Sequence, residues 1–198
     1  MRQSVTDSWP NDEQRMEMEA TAHKRINVGC GEYPLNWFTN IDADPDIPAQ
    51  IHEVVPPIPF EDGTLEHVWA CHFIEHLRHN EAIEFMAECY RVLEPGGKVG
   101  IVVPDTREIM TRWLANSPDC FEFPFGTWRN INDLDEICGL FLYSTTQDSE
   151  HQWSYDEGTL ARLIAGAGFV DLKLLDRYRY PLLGSGQWYQ VGIEGRKP

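Results

Sequence analysis

The stretch Arg25–Asp46, RINVGCGEYPLNWFTNIDADPD, decides the fold. Arg25-Ile-Asn-Val-Gly29 is a short apolar run that stops at glycine, which predicts a buried first strand. Trp37-Phe-Thr-Asn-Ile-Asp42 predicts a second strand that ends in an acid. Between them lies Gly29-Cys30-Gly31. In an open parallel sheet, ligands bind beyond the carboxyl ends of the strands. Glycine there lets the backbone approach a ligand with no Cβ in the way. A Gly-x-Gly pair alone is no more than a tight turn. With Asp42 at the next strand end, able to accept both hydroxyls of a ribose, it becomes the minimum for an adenosine-bearing cofactor.

A dinucleotide fits this stretch poorly. Its fingerprint is G-x-G-x-x-G, with the acid about 20 residues later. Here the third glycine position is Pro34, and Asp42 follows Gly29 by only 13 residues. The link from Cys30 to Asn36 is too short for an ordinary crossover helix. Little helix N-terminus is then left to cradle a pyrophosphate. S-adenosylmethionine has no phosphate and needs none.

Outward from this stretch, strand and helix character alternate. Ala49–Val55 predicts a weaker third strand and Leu65–Cys71 a fourth. Asn80 predicts the N-cap of a helix running to about Leu93. Its buried face is Ala82, Ile83, Phe85, Met86, Cys89, Val92 and Leu93. Glu94-Pro-Gly-Gly97 stops that helix, and Lys98–Val103 is a continuous apolar run, as in a fully buried parallel strand. Ser154 and Glu157 read as a capping box for a second helix, with Leu160, Leu163, Ile164 and Ala167 as its stripe and Gly168 as its end. Phe169–Leu175 and Gln187–Glu194 predict the last strands. The expectation is a doubly wound α/β domain: a mostly parallel sheet, helices on both faces, and a C-terminal hairpin.

The 198 residues suit one domain, 25–198, behind a polar, acidic, flexible leader at 1–24. At 42% hydrophobic and 24% charged, the chain has the makings of a real core. No apolar run approaches the roughly 18 residues of a membrane span, and 1–24 lacks the apolar stretch of a secretory signal. The net charge of −16, from 32 acidic and 16 basic residues, argues against nucleic acid and anionic membranes as partners. Five cysteines, Cys30, Cys71, Cys89, Cys120 and Cys138, form no C-x-x-C pair, which suits reduced thiols in a cytoplasm.

Four segments, taken in order, resemble the class I S-adenosylmethionine-dependent methyltransferases. The closest subgroup is the type 11-like one with a short "GCG … W-x-N-x-D" connection. They are RINVGCGEYPLNWFTNIDADPD, IPFEDGTLEHVWACHFIEHL, ECYRVLEPGGKVGIVVPD and HQWSYDEGTLARLIAGAGF, together spanning about residues 25–170. The chain departs from the family's usual letters at Ile58, commonly Leu, and Glu66, commonly Asp. The resemblance implies seven strands with the last antiparallel, and S-adenosyl-L-methionine as cofactor. By position it implies that Gly29, Cys30 and Gly31 lie along the methionine part and ribose. Asp42 would hold the ribose, and Glu53 with Val54 would lie near the adenine edge. His72 would stand near the reactive methyl.

Methyl transfer is an in-line displacement at a sulfonium, in which the protein positions the acceptor and excludes water. A base is needed only when the acceptor must lose a proton. Candidates are His72, His76, Asp105 and His151, and His72 and His151 are the ones singled out as catalytic. The acceptor is expected to be a small molecule, methylated on oxygen or nitrogen. The chain lacks both the N/D-P-P-Y/F tetrapeptide of amino-methylating nucleic-acid enzymes and a recognisable cysteine motif for carbon methylation. One alternative is a binding module that holds the cofactor without turnover.

His72-Phe-Ile-Glu-His76 is also a literal H-x-x-E-H, extended by His79, the letters of a zinc metallohydrolase helix. His72 directly follows an apolar strand, however, so His72 and His76 should diverge, and no metal is expected. Finally, 116–153 is rich in aromatics, Phe121, Phe123, Phe125, Trp128, Phe141, Tyr143 and Trp153 among them. A lid over the acceptor site is expected there, with His151 and Trp153 facing inward.

Overall fold

A computed structural model describes residues 22–115, 151–176 and 188–198. Its centre is a seven-stranded sheet. In chain order the strands are β1 (Arg25–Val28), β2 (Thr39–Asp42), β3 (Ile51–His52), β4 (Leu65–Cys71), β5 (Leu93–Pro104), β6 (Val170–Leu174) and β7 (Gln190–Arg196). Their spatial order is β3-β2-β1-β4-β5-β7-β6. Strands β1 to β5 pair in parallel, and β7 runs antiparallel to both β5 and β6. The order reverses at β1, whose neighbours are β2 and β4. That reversal opens a crevice beyond the carboxyl ends of β1, β2 and β4.

The sheet's two faces follow from the period-two alternation of β4 and β5. Val68 and Ala70, with Val99, Ile101 and Val103, point to one face. There they meet helix α1 (His79–Val92) and helix α3 (Glu157–Gly166). Ala82, Phe85, Met86, Cys89 and Val92 of α1 are fully buried, at i, i+3, i+4, i+7 and i+10. Ile83, expected on that face, is 51% exposed, because one residue turns a helix by about 100° away from Ala82. Trp69 and Val102 point to the opposite face, where Phe38 and Leu175 cover them and Leu35 and Trp37 pack alongside. A Cβ on Gly100 would lie 2.4 Å from the Trp69 ring, so glycine is what lets the indole lie flat on the sheet. Burying a ring of that size contributes roughly 5 kcal/mol gross, at about 25 cal/mol per Å².

Several boundaries differ from expectation, each for a local reason. The second strand starts at Thr39, because Leu35, Trp37 and Phe38 turn under the sheet to pack beside Trp69. The third strand shrinks to Ile51–His52, paired with β2 at the edge of the sheet among the described residues. Helix α1 is capped from Arg78, not Asn80: the Glu81 carboxylate accepts from Arg78 N at 2.8 Å. The Glu94–Gly97 turn is absorbed into β5 as a bulge, since Leu65 pairs Leu93 and His67 already pairs Lys98. The last strands are Val170–Leu174 and Gln190–Arg196.

The second helix is capped by Asp156, not Ser154. Asp156 Oδ1 accepts from Thr159 N at 2.8 Å, while Thr159 Oγ1 accepts from Asp156 N at 2.8 Å. Tyr155 forms a parallel bridge with Asp105, which keeps the chain extended past Ser154. Arg91 of α1 holds the 58–62 turn in place. Its guanidinium donates to Glu88, Asp62 and the carbonyls of Ile58 and Phe60, while Glu88 accepts from Ile58 N. No helix among the described residues is long and apolar enough to cross a membrane.

Candidate active site

One end of the crevice, where the cofactor is expected, is built from two strand ends. Gly29 (φ 64°) and Gly31 (φ 49°) are both left-handed, the conformation that favours glycine. Gly29 N and Cys30 N donate to Ile41 O at 2.9 and 3.2 Å, which ties the loop to β2. Asp42 then closes it: Oδ2 accepts from Gly31 N at 2.8 Å and Oδ1 from Asp44 N at 3.0 Å. A carboxylate offers about four lone-pair sites, so capacity remains for ribose hydroxyls. A Cβ at Gly31 would meet nothing within 4 Å, so the space over the loop is open. At Gly29 the same atom would lie 2.4 Å from Phe73, just past β4. The Phe73 ring therefore rests on the glycine backbone. Glycines, open space and a rimming carboxylate fit S-adenosylmethionine.

The other residues expected near the cofactor take distinct places. Cys30 is buried, and burial, with the Asp42 charge beside it, pushes its thiol up, away from nucleophilic character. Asp42 pairs in register with His52, so Glu53 and Val54 continue just past the same end of the sheet. Both are exposed, Val54 at 74%.

Sequence reasoning passed over the amide hub that replaces the missing crossover helix. Asn40 Oδ1 accepts from Asn27 Nδ2 at 2.9 Å and from Leu35 N at 2.8 Å. Asn40 Nδ2 donates to Leu35 O, Phe38 O and Gln50 Oε1, and Asn40 N donates to Gln50 Oε1 at 2.7 Å. The available signal was two asparagines inside apolar strands, since a buried amide is almost always hydrogen-bonded.

The other end of the crevice, where the acceptor is expected, is assembled from three distant segments. His72, immediately after β4, is left-handed at φ 53°, a strained conformation for a non-glycine residue. Its N–H donates to Val102 O at 2.9 Å. Its Nδ1 lies 2.9 Å from Glu75 Oε1, and Gln190 Nε2 lies 2.5 Å from its Nε2. With the carboxylate accepting at Nδ1 and the amide donating at Nε2, the network assigns the proton to Nδ1. Glu75 is 1% exposed. Their own burial, and then the neighbouring Glu75 charge, push the Cys71 thiol up to about 12 and raise the Tyr155 phenol.

Ile74–His76 is one 3₁₀ turn, so His72, Glu75 and His76 do not share a helix as a metallohydrolase motif requires. His76 instead meets His151, with ring centroids 4.7 Å apart. Gln152 N and Trp153 N donate to Glu75 O at 2.7 and 3.2 Å and fasten the 151–153 segment to this turn. His151 is buried. Trp153 is 43% exposed and stacks on His79, so it covers the outside of the cluster instead of facing in. The rest of the expected lid, 116–150, lies outside the described residues. Asp105 caps helix α2 (Thr106–Leu114), accepting from Glu108 N at 3.1 Å.

Residues 27–101 match a family described as a methyltransferase domain. Over that stretch the chain carries a methyltransferase domain, and its fold is that of S-adenosylmethionine-dependent methyltransferases. Its cofactor is S-adenosyl-L-methionine. Similar folds include a Thermotoga maritima S-adenosylmethionine-dependent methyltransferase, described as a possible histamine N-methyltransferase. It has a TM-score of 0.58 and 14% identity, with 88% of this chain and 82% of that one covered. An Archaeoglobus fulgidus S-adenosylmethionine-dependent methyltransferase has a TM-score of 0.55 and 14% identity, covering 92% and 90%. A Haemonchus contortus phosphoethanolamine N-methyltransferase, solved with phosphomonomethylethanolamine and S-adenosylhomocysteine, has a TM-score of 0.54 and 14% identity, covering 94% and 53%. No curated protein matches the sequence.

Proposed function

We propose that this methyltransferase acts on an oxygen or nitrogen of a small-molecule acceptor, with His72 as the base. The observation that carries this is the His72 imidazole at the end of β4, held on Nδ1 by the buried Glu75 carboxylate. A carboxylate on one ring nitrogen makes the other the basic one. Gln190 meets that nitrogen from β7 and stands in the place of an acceptor O–H or N–H. The bound cofactor supplies an electrophilic methyl on a sulfonium. The acceptor proton passes to His72 Nε2, the acceptor lone pair bonds the methyl carbon, and the carbon–sulfur pair stays on sulfur.

The net charge of −16 disfavours a polyanionic acceptor, and the small amines named for two similar folds belong to the proposed class. Among the described residues Cys30, Cys71 and Cys89 are free thiols, which supports a reducing, cytoplasmic setting. The test is transfer of a tritiated methyl group from S-adenosylmethionine to the small-molecule fraction of a cell extract. Label should appear in low-mass products with the native chain and be nearly lost with His72→Ala. Label confined to nucleic acid or protein would overturn the acceptor class.

A further inference from the structure

Glu75, His76 and His151 present one ligand atom each, all within 4.8 Å of one another. The cluster is built into the backbone, because the hydrogen bonds from Gln152 N and Trp153 N to Glu75 O deliver His151 to the turn that carries the other two. It also holds an electrostatic deficit. Glu75 is 1% exposed, His72 takes its Oε1, and its Oε2 is buried with no hydrogen-bond partner among the described residues. A buried carboxylate oxygen left without a partner is costly, and a cation is the group that satisfies it.

We propose that Glu75, His76 and His151 bind one divalent first-row transition-metal ion. Two imidazoles and a carboxylate suit zinc, manganese, iron or cobalt, and they are too rich in nitrogen for magnesium or calcium. At bonds of about 2.1 Å, ligands stand roughly 3–4 Å apart, so rotation of the two rings closes the set. Three protein ligands leave positions open for water or for an acceptor heteroatom. The expectation of no metal came from pairing His72 with His76. The strand end sends His72 elsewhere, and a histidine far along the chain takes its place. The proposal does not depend on the acceptor class or on His72 acting as a base.

Cobalt(II) tests it. The full chain, stripped with EDTA and dialysed, is titrated with cobalt(II) alone and followed by calorimetry and visible absorption. One ion per chain is expected, with d–d bands that zinc(II) abolishes by displacement. His76→Ala and His151→Ala should each weaken binding on the order of 100-fold. Affinity for S-adenosylhomocysteine and the far-UV circular dichroism should stay as in the native chain. Should either alanine disturb the fold, Glu75→Gln, nearly isosteric, is expected to give the same loss of cobalt. Absence of d–d bands in the native chain, or equal cobalt affinity in every folded variant, overturns the proposal.

Discussion

The two ends of the crevice are built on different plans. The end expected to take the cofactor is local: Gly29, Gly31 and Asp42 fall within 14 residues, tied by Gly29 N donating to Ile41 O and by Gly31 N donating to the Asp42 carboxylate. The end proposed to take the acceptor is assembled at long range, from His72 and Glu75 after β4, His151 before α3, and Gln190 on β7. The first is rigid backbone geometry. The second is a chain of side chains, each held by one or two neighbours. The two ends touch where Phe73 lies on Gly29.

Substitutions should separate the ends, and the largest effect belongs to the acceptor end. His72→Ala is expected to lower kcat by about 10²–10⁴-fold, the range for losing a general base. S-adenosylhomocysteine affinity, read by calorimetry, should fall no more than about tenfold. Equal losses in both would break the division. Next comes the point of contact. Gly29→Ala should cost roughly 2–4 kcal/mol in denaturant unfolding, from a left-handed alanine and a displaced Phe73 ring. Adding Phe73→Leu should return part of that loss, the coupling expected of residues in contact.

A smaller effect belongs to neither end. His67 packs beside Phe38 and Trp69 with its Nε2 enclosed, and desolvation pulls its pKa down to about 4. The unfolded chain takes up this proton near 6.5, the folded chain only near 4. Stability should therefore fall as pH drops from about 6.5 to about 4, by up to about 3 kcal/mol. In urea titrations across that window, His67→Phe should flatten the slope. The smallest expected effect concerns the entry to α3. The backbone hydrogen bond from Thr159 and the pairing with Arg107 hold the Asp156 carboxyl down to about 2. Asp156→Ala should cost about 1 kcal/mol above pH 4, a contribution that in the native chain is lost as pH falls through about 2. Ser154→Ala, which touches no cap, should stay within about 0.5 kcal/mol.

The same division decides what the sequence could reveal. The glycine loop and Asp42 sit close enough in the chain to be recognised together, and parallel strands with an antiparallel end followed from the order of apolar runs. Helix starts were read at Asn80 and Ser154 instead of Arg78 and Asp156, because capping depends on which residue leaves extended backbone first, and tertiary bridges such as Asp105 to Tyr155 settle that. His72 was legible by its place after a strand. Its link to Gln190 was not, since 118 residues separate the two. The Asn27–Asn40 hub was written in the strands and went unread, because a lone polar residue in an apolar run carries no partner's address.

Whether Gly29–Gly31 and Asp42 hold the cofactor is decided by calorimetric titration of the native chain and Asp42→Ala with S-adenosylhomocysteine. Loss of a hydrogen bond to a charged group is worth about 1.5–3 kcal/mol, so the variant should bind roughly 10- to 150-fold more weakly, with NAD giving no heat in either. A folded Asp42→Ala chain that binds S-adenosylhomocysteine as tightly as the native one would contradict this assignment.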